Sequence, residues 1–308
     1  MSALHPDAPH PAVGVQDLSR HFGSRRALDG VSLTVPRGSV FGLVGENGAG
    51  KTTLIKHLLG LLRAEMGSVR VLGLDPVSRP ATVLSRVGYL AENRDLPLWM
   101  RMQELLDYTA AFYPDWDAAY AGQLLEQFQL PAATRLKHLS RGELAKAGLL
   151  LALAHRPELL ILDEPSSGLD PLVRRDILEA IIRTVAEEGR TVLFSSHLLD
   201  EIERVADHVA MMVKGKVILS GSLDEIRAWH RKFVLRFDAT PPSPPFVAGA
   251  LSVSGSGLEW TILACEARET IAETAQKIGA RIVEEHVPSL EEIFLARASR
   301  KISSTHLP

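Results

Sequence analysis

Gly45-Glu46-Asn47-Gly48-Ala49-Gly50-Lys51-Thr52 is the stretch that decides the fold. It fits the pattern G-x-x-x-x-G-K-[S/T] at every fixed position, and its setting fits as well. An apolar run, Ser39-Val40-Phe41-Gly42-Leu43-Val44, precedes it and reads as a buried strand. A helical stretch from Lys51 to about Leu62 follows it. Glycines at these places let the backbone curl so that successive N–H groups face an anion. The helix begins there with its positive end toward the same point. Lys51 supplies a point charge for β- and γ-phosphates, and the Thr52 hydroxyl can bind Mg²⁺. The pattern predicts a nucleotide site.

Moving outward, Leu159-Leu160-Ile161-Leu162-Asp163-Glu164 is an apolar strand delivering two acids at its C-terminal end, where ligands gather in open α/β sheets. Asp163 is the natural Mg²⁺ partner. Glu164 can polarise a water for attack on the terminal phosphate. Helix-like and strand-like runs alternate from 159 to 213, predicting a parallel sheet with crossover helices. Before them, about 95–155 reads as a helical insertion, and 13–35 as an antiparallel β layer. Residues 1–12, rich in Pro and His, are expected to be a disordered tail. The α/β cassette is expected to run over 13–230. Pro241-Pro242-Ser243-Pro244-Pro245 then interrupts a small α+β appendix over 231–298, which carries two short β runs after the prolines and helices near 270–278 and 290–298. A flexible tail is expected over 299–308.

The chain has 308 residues, 46% hydrophobic and 23% charged, with a net charge of −3, which excludes fibrous and wholly disordered classes. There is no global basic field, so no nucleic-acid partner is expected. The single cysteine, Cys265, forms no internal disulfide. The longest uncharged apolar stretch falls far short of the ~20 residues that cross a bilayer, and the N-terminus lacks the features of a secretory signal. The expectation is a cytoplasmic protein.

Three further motifs narrow the class: Leu139-Ser140-Arg141-Gly142-Glu143 before the acidic strand, Ser167-Gly168-Leu169-Asp170 after it, and Ser195-Ser196-His197 at the next strand end. A GTPase's N-K-x-D segment is not found, and nothing marks a small-molecule kinase's lid. With these five ordered motifs the sequence resembles the ATP-binding cassette (ABC) ATPases, the nucleotide-binding subunits of ABC transporters. The resemblance spans about 13–228. It implies a P-loop NTPase fold with a RecA-like core sheet, an antiparallel β-subdomain and a helical insertion, binding ATP and Mg²⁺. It also implies roles. Gly45, Glu46, Asn47, Gly48, Ala49, Gly50, Lys51, Thr52 and Thr53 would hold the phosphates. Asp163, with Thr52, would hold the metal; Glu164 would be the base and His197 the switch histidine on the γ-phosphate. Ser140 and Gly142 would head a helix closing on ATP held by a second subunit, and Asp170 would lie at the seam. Phe22 matches the position that stacks on adenine, although an apolar residue in a β layer also serves as core.

Two departures stand out. The signature has Arg141 and Glu143 where L-S-G-G-Q is usual, so an acid sits near a helix start. After Gly88-Tyr89-Leu90-Ala91 the family has Gln, but this chain has Glu92, either a metal ligand in the Q-loop role or a surface acid. The family also implies a separate multi-span permease, a second nucleotide-binding subunit and a place on the cytoplasmic face of the membrane. The apolar cluster Leu96-Pro97-Leu98-Trp99-Met100 would then be either buried core or the exposed patch that meets the permease. The sequence around 288–295 resembles exporter-type cassettes with a C-terminal extension. A soluble or regulatory cassette, uncoupled from transport, is the other reading.

Overall fold

The computed structural model describes residues 10–93, 95–186, 189–265 and 268–303. Chain contacts divide it into two compact units at Ser220/Gly221, ten residues before the boundary expected at 230.

The first unit opens with a hairpin, β1 (Val13–Phe22) and β2 (Arg25–Val35), whose turn carries Gly23 in the left-handed region. Next come β3 (Val40–Val44), α1 (Lys51–Leu58), β4 (Met66–Val71), α2 (Pro80–Leu84) and β5 (Val87–Leu90). Three helices follow: α3 (Met102–Ala110), α4 (Ala118–Gln127) and α5 (Arg141–Leu153). Strand and helix then alternate through β6 (Leu159–Asp163), α6 (Pro171–Ala186), β7 (Thr191–Ser196), α7 (Leu199–Val205) and β8 (His208–Val213). The last strand is β9 (Lys216–Ser222).

Two sheets result. β1, β2 and β4 form an antiparallel sheet ordered β2-β1-β4. The main sheet is ordered β5-β6-β7-β3-β8-β9, with the first five strands paired in parallel. β3, β6 and β7 are buried along their whole length, as strands covered on both faces must be, and their middles are apolar for that reason, with polar residues at the ends of β6 and β7 (Asp163; Thr191, Ser195 and Ser196). One cluster joins the two sheets through α1, with Leu54, Ile55 and Leu58 meeting Leu18, Leu28, Phe41 and Leu193. The expected fold is therefore present: a P-loop α/β core with an antiparallel layer and a helical insertion.

The second unit adds α8 (Leu223–Trp229), β10 (Arg231–Phe237), β11 (Ala250–Ser256), β12 (Glu259–Ala264), α9 (Arg268–Lys277), β13 (Ala280–His286) and α10 (Leu290–Ser303). Its sheet is antiparallel and ordered β11-β12-β10-β13. Alternate residues Phe233, Leu235 and Phe237 face Trp260, Ile262 and, from α9, Ile271 and Ala275.

Three expectations need correction. Residues 10–12 are held in place: the Ala12 N–H donates to Val35 O at 2.9 Å, and Ala12 O accepts from the Leu72 N–H at 2.8 Å. The rest of that expected tail, 1–9, lies outside the described residues. Three strands, not two, follow the proline cluster. At the other end α10 continues to Ser303, past the expected boundary at 298, and 304–308 lie outside the described residues.

Candidate nucleotide site

The loop after β3 folds as its glycines require. Gly48 and Gly50 have φ of +82° and +110°, values that other residues rarely adopt. A Cβ at Gly50 would also lie 2.7 Å from Ala27 O, so the position is closed to larger residues twice over. Gly50 is the N-cap of α1 and no side chain caps that end, which leaves the first-turn N–H groups of α1 to face the loop's concavity.

A cleft of about 510 Å³ opens there. Phe22, Arg25 and Ala27 line one wall; the loop residues Glu46, Asn47, Gly48 and Gly50 with Lys51, Thr52 and Thr53 form the floor, and Glu92 and Glu164 stand opposite. Gly45 and Ala49 complete the turn beneath, Ala49 donating its N–H to Glu46 O at 3.1 Å. Phe22 is 47% exposed, so it is a wall of the cleft and not core, with the Arg20 guanidinium 5.0 Å from its ring centre. Arg25, which the sequence reading passed over, reaches Gly48 O at 3.4 Å. Only the hairpin's curl brings it there, and no motif spacing announces it.

The charged groups form a chain. Lys51, 5% exposed, donates to Gly45 O at 2.5 Å and forms an ion pair with Glu164 at 2.9 Å. The other oxygen of Glu164 lies 2.7 Å from His197 Nδ1. Glu164 holds φ at +49°, an uncommon conformation for a non-glycine residue and of the kind that collects at functional sites. Its N–H donates to Ser195 Oγ at 2.9 Å, and that hydroxyl donates to Asp163 Oδ1 at 2.7 Å. Asp163 is 1% exposed, and among the described residues its Oδ2 has no hydrogen-bond partner. A buried carboxylate oxygen left this way is costly unless a cation satisfies it.

Among the described residues no group of three or more His, Cys, Asp or Glu is placed to hold a metal. The partnerless oxygen of Asp163 and the hydroxyl of Thr52, which lines the cleft, are oxygen donors of the kind that suit a hard cation keeping most of its ligands as water and phosphate. Tyr89, on β5, has its hydroxyl pushed up to about 12 by burial and then by the negative charges of Asp163 and Glu92. Glu92 itself is exposed in the turn after β5, at the rim of the cleft.

The signature lies away from these groups. Ser140 is the N-cap of α5: its Oγ accepts from the Glu143 N–H at 3.2 Å, and the Glu143 carboxylate accepts from the Ser140 N–H at 2.7 Å. That reciprocal pair is a capping box. Those contacts hold the Glu143 carboxyl below the usual range, and they explain the acid at this helix start as a cap. Ser140 and Arg141 are exposed, while Gly142 packs under α6, where a Cβ would meet Val173 Cγ2 at 2.8 Å. Asp170 caps α6, its Oδ1 accepting from the N–H groups of Leu172 and Val173 at 3.1 Å each. Thus the loop residues, Phe22, Glu92, Asp163, Glu164 and His197 gather at one end of the main sheet, while Ser140, Gly142 and Asp170 sit at two helix starts facing other ground.

Comparison with known proteins gives consistent matches. The family model described as ABC transporter matches residues 28–167. The chain is 27% identical over 289 residues to the ABC transporter ATP-binding protein YtrB of Bacillus subtilis, covering 94% of this chain and 99% of that one. It is 35% identical over 229 residues to the daunorubicin resistance ATP-binding protein DrrA3 of Streptomyces coeruleorubidus, covering 70% of each. Among solved structures, an ATP-binding subunit of an ABC transporter superposes with a TM-score of 0.65 at 32% identity, covering 70% of this chain and 92% of that one.

Proposed function

Since this chain belongs to the ABC transporter family and is one of its ATP-hydrolysing, ATP-binding subunits, we propose that the cleft beside Lys51 takes ATP with Mg²⁺ and that Glu164 is the base. The observation that carries this is the buried chain Lys51–Glu164–His197 lying next to the partnerless oxygen of Asp163. Lys51 now shares its protons among Gly45 O, Glu46 O and Glu164, all acceptors with which a phosphate competes. The loop N–H groups and the start of α1 bind and orient that phosphate. Thr52 and Asp163, with Glu92 at the rim, would hold Mg²⁺, which when bound neutralises charge on the phosphate oxygens. Glu164, freed of Lys51, accepts the proton of the attacking water. His197 Nδ1, 2.7 Å from Glu164 Oε2, orients the base against the bond that breaks. Phe22 stacks on the adenine, and Arg25 adds a second cation on the same wall.

The exposed tip of α5 supports a head-to-tail pair of cassettes in which Ser140 and Gly142 reach ATP held by the other copy, with Asp170 at the seam. Among the described residues no helix is long and apolar enough to cross a membrane; membership of the ABC transporter family supports a separate multi-span permease as the partner. Trp99, 69% exposed, and Leu98, 47% exposed, support the partner-patch reading of that cluster over the core reading. The subunit would lie on the cytoplasmic face of the membrane, and the daunorubicin-resistance relative supports export as its direction.

The test is steady-state hydrolysis by the purified chain. Glu164→Gln is expected to lower turnover by about 10²-fold or more while ATP affinity stays near native, since a positioned base contributes on that scale. Turnover unchanged in that variant contradicts the assignment.

A further inference from the structure

A second buried carboxylate stands behind the catalytic pair. Glu201, in the first turn of α7, is 1% exposed. Its Oε2 accepts the Ser196 and Ser166 hydroxyls, each at 2.8 Å, and its Oε1 forms an ion pair with Arg174 Nε at 3.2 Å. The three partners come from three separate segments. Ser196 ends β7, immediately before His197. Ser166 lies two residues after Glu164. Arg174 is in α6, and its N–H donates to Asp170 O at 3.0 Å.

The end of β7 therefore places three consecutive side chains on three acids: Ser195 on Asp163, Ser196 on Glu201 and His197 on Glu164. A carboxylate this deep is costly unless it is paired, and an apolar residue of similar volume would fill the space without that cost. What the carboxylate adds is direction: two hydroxyls hydrogen-bond to Oε2 and fix their segments, while the Arg174 guanidinium is drawn to Oε1 by charge, without hydrogen-bond geometry. Of the three segments, one carries the base, one its histidine, and one begins at the helix cap Asp170.

We propose that Glu201 is a positioning residue for hydrolysis. It sets Glu164 against His197 and ties both to the start of α6, so that a shift of α6 at its Asp170 end is felt at the base. This rests on the reading of Glu164 and His197 given above. Among the described residues the polar partners of Glu201 are Ser166, Ser196 and Arg174, none of them in the phosphate loop, so its effect should fall on turnover more than on ATP affinity. A merely structural anchor, by contrast, would change the yield of folded protein and leave turnover per folded site alone.

The experiment measures turnover per ATP-binding site and ATP affinity on the full chain for Glu201→Gln, Ser166→Ala and the double variant, with Glu164→Gln alongside. Misplacement of a reacting group costs on the order of ten-fold to a hundred-fold, so turnover in both single variants should fall at least about ten-fold while ATP affinity stays within about two-fold. The double variant should be no worse than Glu201→Gln alone, because both changes remove one network. Ser166→Ala deletes a single oxygen, and it carries the test if Glu201→Gln fails to fold. Turnover within about two-fold of native in Ser166→Ala, with Glu164→Gln inactive, overturns the inference alone, since the network would then lack any hold on the chemistry. Hydrolysis persisting in Glu164→Gln overturns the underlying reading and the inference with it.

Discussion

Glu92 stands where the family resemblance leads one to expect Gln. It stands at the rim of the cleft, exposed, with Tyr89 close enough to feel its charge. A carboxylate there can ligate Mg²⁺ directly but adds negative charge near the γ-phosphate. Glu92→Gln should therefore change the Mg²⁺ concentration needed for half-maximal turnover, and Glu92→Ala should change it further. Magnesium titrations superimposable on native in both variants would show Glu92 to be a surface acid only. Most of the other site residues were legible in the sequence because they lie in contiguous motifs: the loop from Gly45 to Thr53, the acids 163–164, and 195–197. Arg25 and Glu201 were not. Each is placed by a tertiary approach, Arg25 by the curl of the β1–β2 hairpin and Glu201 by the packing of α7 against β3 and β7. No local spacing records either.

At the level of elements, α5 is the piece on whose position the proposed pairing of cassettes would depend. Its tip is set by the Ser140–Glu143 cap and by the seat of Gly142 against Val173. Gly142→Ala should destabilise the first unit by about 1–3 kcal/mol, the usual range for overpacking, and adding Val173→Ala should recover most of it. Denaturant unfolding measures both. Equal stability of Gly142→Ala and native would mean that the helix tip has room to shift. Element reading from sequence succeeded where a short apolar run is bounded by polar residues, as in β3, β6 and β7, or where one face is apolar at a helical period, as in α6. In the second unit it placed the two helices after the prolines but counted two strands where three are found. β11 runs out into Gly255 and Ser256, and β13 ends in Glu284, Glu285 and His286, so the ends of both lack the alternation of a half-buried strand. Their pairing with β12 and β10 makes them strands.

For the whole molecule, pH reports on buried histidines in both units. His57 and His155 in the first and His230 in the second are buried, and each places a ring nitrogen against a backbone carbonyl oxygen: Thr53 at 2.8 Å, Val87 at 3.3 Å and Ile226 at 2.6 Å. Burial lowers the pKa of each below its ordinary value of 6.5. The folded chain resists protons that the unfolded chain takes up, so their contribution to stability is present above pH 6.5 and is lost as pH falls below it. Melting temperature should be flat with respect to these rings above pH 6.5 and should drop as pH is lowered from 6.5 to 5.5. A melting temperature independent of pH across that range would contradict neutral, buried rings.

The most direct test of the account is the association state of the Glu164→Gln chain, measured by sedimentation with and without ATP and Mg²⁺. The account predicts a monomer that becomes a dimer on adding ATP, with Ser140→Phe abolishing the dimer while ATP still binds. A Glu164→Gln chain that binds ATP yet stays monomeric at every accessible concentration would contradict it.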